Sequence, residues 1–223
     1  MREIQKYRYL VAGMLTLIMF SMGVLVSNFV DDARANSLRN QMEQDLTEIE
    51  SKQLQLSYLK SEDVQSCKVL REGLNNIVTG YNQRLGNLQQ YQKNSAIQAQ
   101  RFETIKSRYI LSGIRYWMFA EDIRKKCEYS PDTVLFFTNN LEKEGCRECE
   151  KMGRQLTLLK REQDSELLVF SIPVQIKDGM VDILESQYNV TGTPTVVVNG
   201  KHKLEGYHPR ADIRKYLENG GTE

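Results

Sequence analysis

Cys146-Arg147-Glu148-Cys149 sets two thiols three residues apart, one turn of a helix if the stretch is helical. Such a pair cycles between dithiol and disulfide and carries two electrons without an organic cofactor. At a helix N-terminus, Cys146 faces unpaired backbone N–H groups and the positive end of the helix dipole. Both favour thiolate over thiol, so its pKa is expected below the free-thiol value of about 8.5. Arg147 adds a positive charge, which Glu144 and Glu148 oppose. Cys149 lies one turn in, placed to attack a mixed disulfide at Cys146. The rival chemistry is zinc, which takes about four thiolate or imidazole ligands. The candidate ligands are Cys67, Cys127, Cys146, Cys149, His202 and His208; no second CxxC and no HxxxH accompanies them, so no metal is assigned.

The flanking segments must position the pair. Thr133-Val134-Leu135-Phe136-Phe137 is an apolar, β-rich run just before it. Reading on, we expect a strand over 133–138, a helix over 146–161, a strand over 167–172, a helix over 180–188, strands over 195–199 and 202–206, and a helix over 211–218. The first strand–helix–strand unit requires parallel strands and a right-handed crossover. Asn199-Gly200 predicts the hairpin turn of the last strand pair. Asp178, Asp182 and Glu185 read as a solvated helix face, and His208, in Tyr207-His208-Pro209, as preceding or capping the last helix.

Three motifs now stand in order: the strand before Cys146, the CxxC, and Gly192-Thr193-Pro194-Thr195 leading into Val196-Val197-Val198. With them, residues 131–219 resemble the thioredoxin superfamily, in the style of its membrane-anchored, extracytoplasmic thiol-disulfide oxidoreductases. The resemblance implies an α/β thioredoxin-like domain of order βαβαββα. It implies that Cys146 attacks, Cys149 resolves and Pro194 is cis, with the Thr193 backbone exposed for strand-like pairing with substrate. Two features are this chain's own: the inter-cysteine dipeptide is Arg147-Glu148, and Gly145, not a tryptophan, precedes Cys146. Both bear on redox potential, so oxidant, reductant or isomerase is not carried over.

The remainder of the chain has another character. All four prolines (131, 173, 194 and 209) lie beyond residue 130, and the preceding part is rich in Gln, Leu, Glu and Lys. A boundary is expected near Ser130-Pro131. Leu10–Val30 contains no charged residue, long enough at about 1.5 Å per residue to cross a bilayer core of roughly 30 Å. Arg2, Lys6 and Arg8 precede it and Asp31 and Asp32 follow, which places the N-terminus in the cytoplasm. The rival is a signal peptide cleaved at Ala33-Arg34-Ala35; the run is longer than a signal core, and two aspartates intervene. The layout is then a cytoplasmic segment (1–9), a transmembrane helix (10–30), a helical stalk (31–130), the thioredoxin-like domain (131–219) and a tail (220–223).

Alternating spacings of three and four predict three helices in the stalk, through Leu38–Leu59, Val64–Leu88 and Phe102–Ile123. Ser61-Glu62-Asp63 reads as a helix start and Lys93-Asn94-Ser95 as a break. If the last two helices form an antiparallel hairpin, Cys67 lies opposite residue 123, one turn from Cys127. The two can then form a structural disulfide, with free buried thiols as the alternative. Tyr116-Trp117-Met118-Phe119 is expected to be core where the helix docks on the following domain, a ligand surface being the other option.

The expectation for function is a single-pass membrane protein holding a thiol-disulfide exchange domain outside the cytoplasm. Its partners would be protein thiols or disulfides, a membrane or soluble electron partner, and the bilayer through residues 10–30. A net charge of +1 and the absence of a basic patch with interleaved aromatics exclude nucleic acid as an expected partner. The alternative is a non-catalytic helical scaffold carrying a redox-inert thioredoxin-like module. Self-association through the stalk suits both readings, and a relay from Cys67 and Cys127 to the CxxC stays open.

Overall fold

A computed structural model describes residues 2–61, 66–92, 99–127, 130–139, 145–163 and 166–218; some side chains in α1–α3 and at 218 also lie outside it. Its elements run α1 (Arg2–Leu59), α2 (Cys67–Gln92), α3 (Ala99–Lys126), β1 (Asp132–Thr138), α4 (Arg147–Gln163), β2 (Leu167–Pro173), α5 (Gly179–Gln187), β3 (Thr195–Val198), β4 (His202–Glu205) and α6 (Arg210–Glu218). From β1 onward this is the expected βαβαββα order, with boundaries moved by at most two residues. The expected helix start at Glu62-Asp63 and break at 93–95 lie outside the described residues.

The sheet order is β2-β1-β3-β4, with β1 and β2 parallel and β3 antiparallel to β1 and β4. Side chains alternate across a strand, so a strand covered on both faces is apolar throughout. β1 and β3 are such strands. Val134, Phe136, Val196 and Val198 enter one core, under Met152, Leu156 and Leu159 of α4 and Ile213 and Leu217 of α6. Leu135, Phe137 and Val197 enter the other, against α3 and α5.

The second core changes the expected layout. It continues without interruption from the sheet through α3 into α2 and the end of α1. Tyr116, Trp117 and Phe119 are buried in it, whereas Met118 is exposed. The expected docking at Tyr116, Trp117 and Phe119 thus extends along the helix: α3 covers one face of the sheet, and α2 packs behind it. Residues 10–30 and the first expected stalk helix are also not separate, because α1 runs unbroken through both. No proline interrupts this stretch. The transmembrane expectation gains no support here, since among the described residues no helix is long and apolar enough to cross a membrane. The side chains at 25, 26 and 28–30, the end of the apolar run, lie outside the description.

Cys67, at the start of α2, is bonded to Cys127, just past the end of α3, with Cα atoms 5.8 Å apart. The hairpin is thus antiparallel and closed at its base. Tyr81 lies inside it, fully covered by Tyr109, Tyr116 and Phe170. A Cβ at Gly113 would collide with the Tyr81 hydroxyl, so glycine is what lets α2 approach α3 here.

Two outcomes follow from this packing. Crosslinking residues 60 apart removes unfolded-state entropy equivalent to about 4 kcal/mol. Replacing Cys67 and Cys127 by alanine is expected to cost about 2–4 kcal/mol in denaturant unfolding; an unchanged midpoint would show the hairpin self-sufficient. Burial first, and the neighbouring Tyr116 second, push the Tyr81 hydroxyl well above the ordinary tyrosine range. Its contribution to stability is present below the unfolded value of about 10 and is lost as pH rises past it. Stability measured from pH 8 to 11 should fall less steeply in Tyr81→Phe than in the parent.

Candidate active site

Cys146 is held by the end of one strand and the start of one helix. Past β1 the chain reaches Gly145 at φ +127°, a backbone region open to glycine and strained for other residues. Cys146 follows as the residue that caps α4: its carbonyl accepts the Glu150 N–H at 3.2 Å. Its sulfur accepts the Cys149 N–H at 3.1 Å. This is the bond that a serine or aspartate side chain makes at an N-cap, here made by sulfur.

The two sulfurs are joined in a disulfide with Cα atoms 5.2 Å apart, yet their surroundings differ. Cys149 is 7% exposed and packs in the α4–sheet core with Met152. Cys146 is half-buried at its rim, and Arg147 and Glu148 are exposed. An incoming thiolate meets Cys146 first. Helix α4 is kept in place by its apolar face and by α6, where Arg210 and Arg214 both pair with Glu162 and the Arg210 N–H donates to the Gln155 side chain.

The Thr193–Pro194 peptide bond is cis. Register places it: Thr195 pairs with Phe137, next to the last residue of β1. The 193–194 segment and the chain leaving β1 at Asn139 therefore lie at the same end of the sheet. Pro194 is buried, and its carbonyl accepts the Gly206 N–H at 2.8 Å. The Thr195 hydroxyl donates to the Gly192 carbonyl at 2.7 Å. Among the described residues, neither the N–H nor the C=O of Thr193 is hydrogen-bonded, which leaves that backbone open to an extended segment. Asn139, just after β1, accepts from Gln175 at 2.6 Å and ties the β2–α5 connection to this end.

Cys67 and Cys127 are elsewhere. Cys127 precedes β1 and Cys146 follows it, so a seven-residue strand of roughly 3.3 Å per residue separates them. Each disulfide joins its own two cysteines, one pair before β1 in the chain and the other after it. Among the described residues, no group of three or more His, Cys, Asp or Glu could hold a metal ion. His208 sits before α6 with its ring against the Glu205 carbonyl at 3.0 Å.

Three structural residues escaped the sequence reading. Asp178 is not merely solvated: its carboxylate caps α5 by accepting the Met180 N–H at 2.9 Å, a role legible in an aspartate just before a helix. Gly206 supports Pro194 through a bond between distant residues that no local pattern announces. Asn199 supplies the turn at φ +54° as expected, but its buried side chain also joins Thr133 and Asp132 at 2.9 and 2.8 Å.

A family model described as a thioredoxin-like domain matches residues 120–221. Its start inside α3 agrees with the packing of that helix on the sheet. Among solved structures, a chloroplastic thioredoxin z is similar at 23% identity, over 42% of this chain and 80% of its own, with a TM-score of 0.34. A malarial protein is similar at 13% identity, over 41% of this chain and 98% of its own, also with a TM-score of 0.34. No curated protein matches the chain.

The capping bond generates a prediction. In the reduced protein the Cys149 N–H and the helix end remain aimed at the Cys146 sulfur, so its thiolate absorbance should appear below the ordinary thiol range of about 8–9. Arg147→Glu should move that titration upward. An unshifted titration would mean that the helix end does not act on the sulfur.

Proposed function

Residues 120–221 are a thioredoxin-superfamily segment, and on that premise we propose that this chain catalyses thiol-disulfide exchange on protein substrates through Cys146 and Cys149. The observation that carries the proposal is the asymmetry of the pair. Cys146 caps a helix at the core's rim, its partner sulfur is buried, and a cis Thr193–Pro194 bond shares their end of the sheet.

From the disulfide form, a substrate thiolate attacks the Cys146 sulfur. A substrate–Cys146 bond forms, the Cys146–Cys149 bond breaks, and Cys149 leaves as thiolate. A second substrate thiolate then attacks the substrate sulfur and expels the Cys146 thiolate. The substrate gains a disulfide, and the pair holds two electrons. The reverse sequence reduces a substrate: the Cys146 thiolate attacks and Cys149 resolves the mixed disulfide. Thr193 and Pro194 position the substrate segment, and Arg147 and Glu148 set the local charge. Either direction needs an electron partner, in the membrane or in solution, to reset the pair.

The domain acts outside the cytoplasm, anchored by residues 10–30. The support for this is the charge-free run itself, the basic residues before it, and the exposure of Leu10, Leu17, Met19 and Phe20 on α1. A Cys67–Cys127 disulfide also suits an oxidising compartment.

The test is turnover of a disulfide-bonded protein substrate such as insulin, with dithiothreitol as reductant. Cys146→Ser should abolish catalysis, and Cys149→Ser should accumulate a mixed disulfide through Cys146, visible on non-reducing gels. Full turnover in Cys146→Ser would end the enzymatic reading.

A further inference from the structure

A cleft of about 540 Å³ opens at the end of the sheet opposite the CxxC, between α3, α5 and the β3–β4 turn. That volume is within the range of small-molecule sites. Its floor is apolar and aromatic: Trp117 and Tyr188 meet edge to face with ring centroids 6.2 Å apart, beside Met180 and Leu184.

The uncommitted polar groups around that floor are mostly donors. Both carboxylates of the cleft are already engaged. Glu121 accepts from the Thr133 hydroxyl and faces Arg124 at 3.9 Å, and Asp122 faces Lys60 at 3.8 Å. Arg124 is held in turn by Asp132 at 3.2 Å. What remains, beside the Gln187 side-chain amide, is donors. Among the described residues, Lys125 and Lys201 are exposed and pair with no carboxylate. Among the described residues the Tyr188 hydroxyl has no hydrogen-bond partner, and burial followed by the Glu121 charge raises its pKa. Among the described residues the buried indole N–H of Trp117 has no hydrogen-bond partner. Buried donors in folded proteins are nearly always satisfied, so an orphan beside a cleft points to an acceptor that arrives from outside.

We propose that this cleft is a binding site for a small organic anion, an apolar body carrying one carboxylate. The apolar part lies against Trp117, Tyr188 and Leu184. The carboxylate sits between Lys125 and Lys201 and accepts from the aromatic donors after a small adjustment of the indole. A neutral apolar molecule would leave the lysines unused. The site is independent of the exchange chemistry, which lies at the other end of β1.

Trp117 is the only tryptophan of the chain, so its indole N–H gives a single ¹⁵N–¹H signal from the cleft itself. The experiment is a titration of the full chain in detergent micelles with 3-phenylpropanoate, using 3-phenylpropanol and acetate as controls. A saturable shift of that signal is expected with phenylpropanoate, at least about tenfold tighter than with either control. Lys125→Ala combined with Lys201→Ala should weaken binding by about tenfold or more while leaving insulin turnover unchanged. Both side chains are exposed, so folding is not at stake. No saturable shift up to about 10 mM, an equal response to the alcohol, or an unaltered affinity in the double variant would each overturn the proposal.

Discussion

Burial of β1 on both faces is the constraint from which the rest of the structure follows. A strand with two covered faces has no solvent side, so every residue from Thr133 to Thr138 must suit a core. A shift of register by one residue would exchange Val134 and Phe136 with Leu135 and Phe137, and so empty each core into the other. That fixes β1 against β2 and β3 and thereby fixes its two ends. One end delivers Cys146 to α4, and at the same end the pairing of Phe137 with Thr195 delivers Pro194. The other end meets Cys127, Asp132 and the Asn199 turn. The geometry of the exchange site is thus set by packing several residues away from any sulfur.

Within that frame, chemistry is assigned by depth. The two cysteines share one side of the helix, but Cys146 stands before its first turn and Cys149 within it. α4 buries the side carrying Cys149, Met152, Leu156 and Leu159, which leaves Cys146 at the rim. The same helix start supplies the Cys149 N–H to the Cys146 sulfur. Accessibility and the backbone donor therefore fall on the same residue for one structural reason. Arg147 and Glu148, exposed and of opposite charge, modulate this arrangement but do not create it.

The sequence reading located the sheet and its helices to within two residues because each carries a local signature: a period of two, a period near 3.6, Asn-Gly, or Gly next to a cysteine. It also brought Cys67 opposite Cys127, since an antiparallel hairpin leaves little freedom at its base. Where it went astray, the deciding information was not local. The aromatic run of α3 marks it as docking on the following domain, and Tyr116, Trp117 and Phe119 are buried there, but an amphipathic helix does not show how much of its length covers its partner. The continuity of α1 was missed because a change from apolar to polar composition is no helix breaker. The side-chain bonds of Asn199 and the link from Gly206 to Pro194 join residues far apart in sequence, and only the assembled sheet brings them together.

The two disulfides, separated by the length of β1, are suited to different work. Cys146–Cys149 closes a loop of one helical turn, so its formation restrains the unfolded chain very little, and it is exposed to attack at one sulfur. Cys67–Cys127 closes a long loop around two helices and a buried tyrosine, and its Cys127 side is covered. The first is poised for exchange, and the second stabilises by restricting the unfolded state. The second also ties the end of α3 to α2, and the end of α3 carries Arg124 and Lys125 at the distal cleft. The crosslink thus ties α2 to the end of α3 on one side of the molecule, while beside the CxxC disulfide the Thr193 backbone is without a hydrogen bond among the described residues.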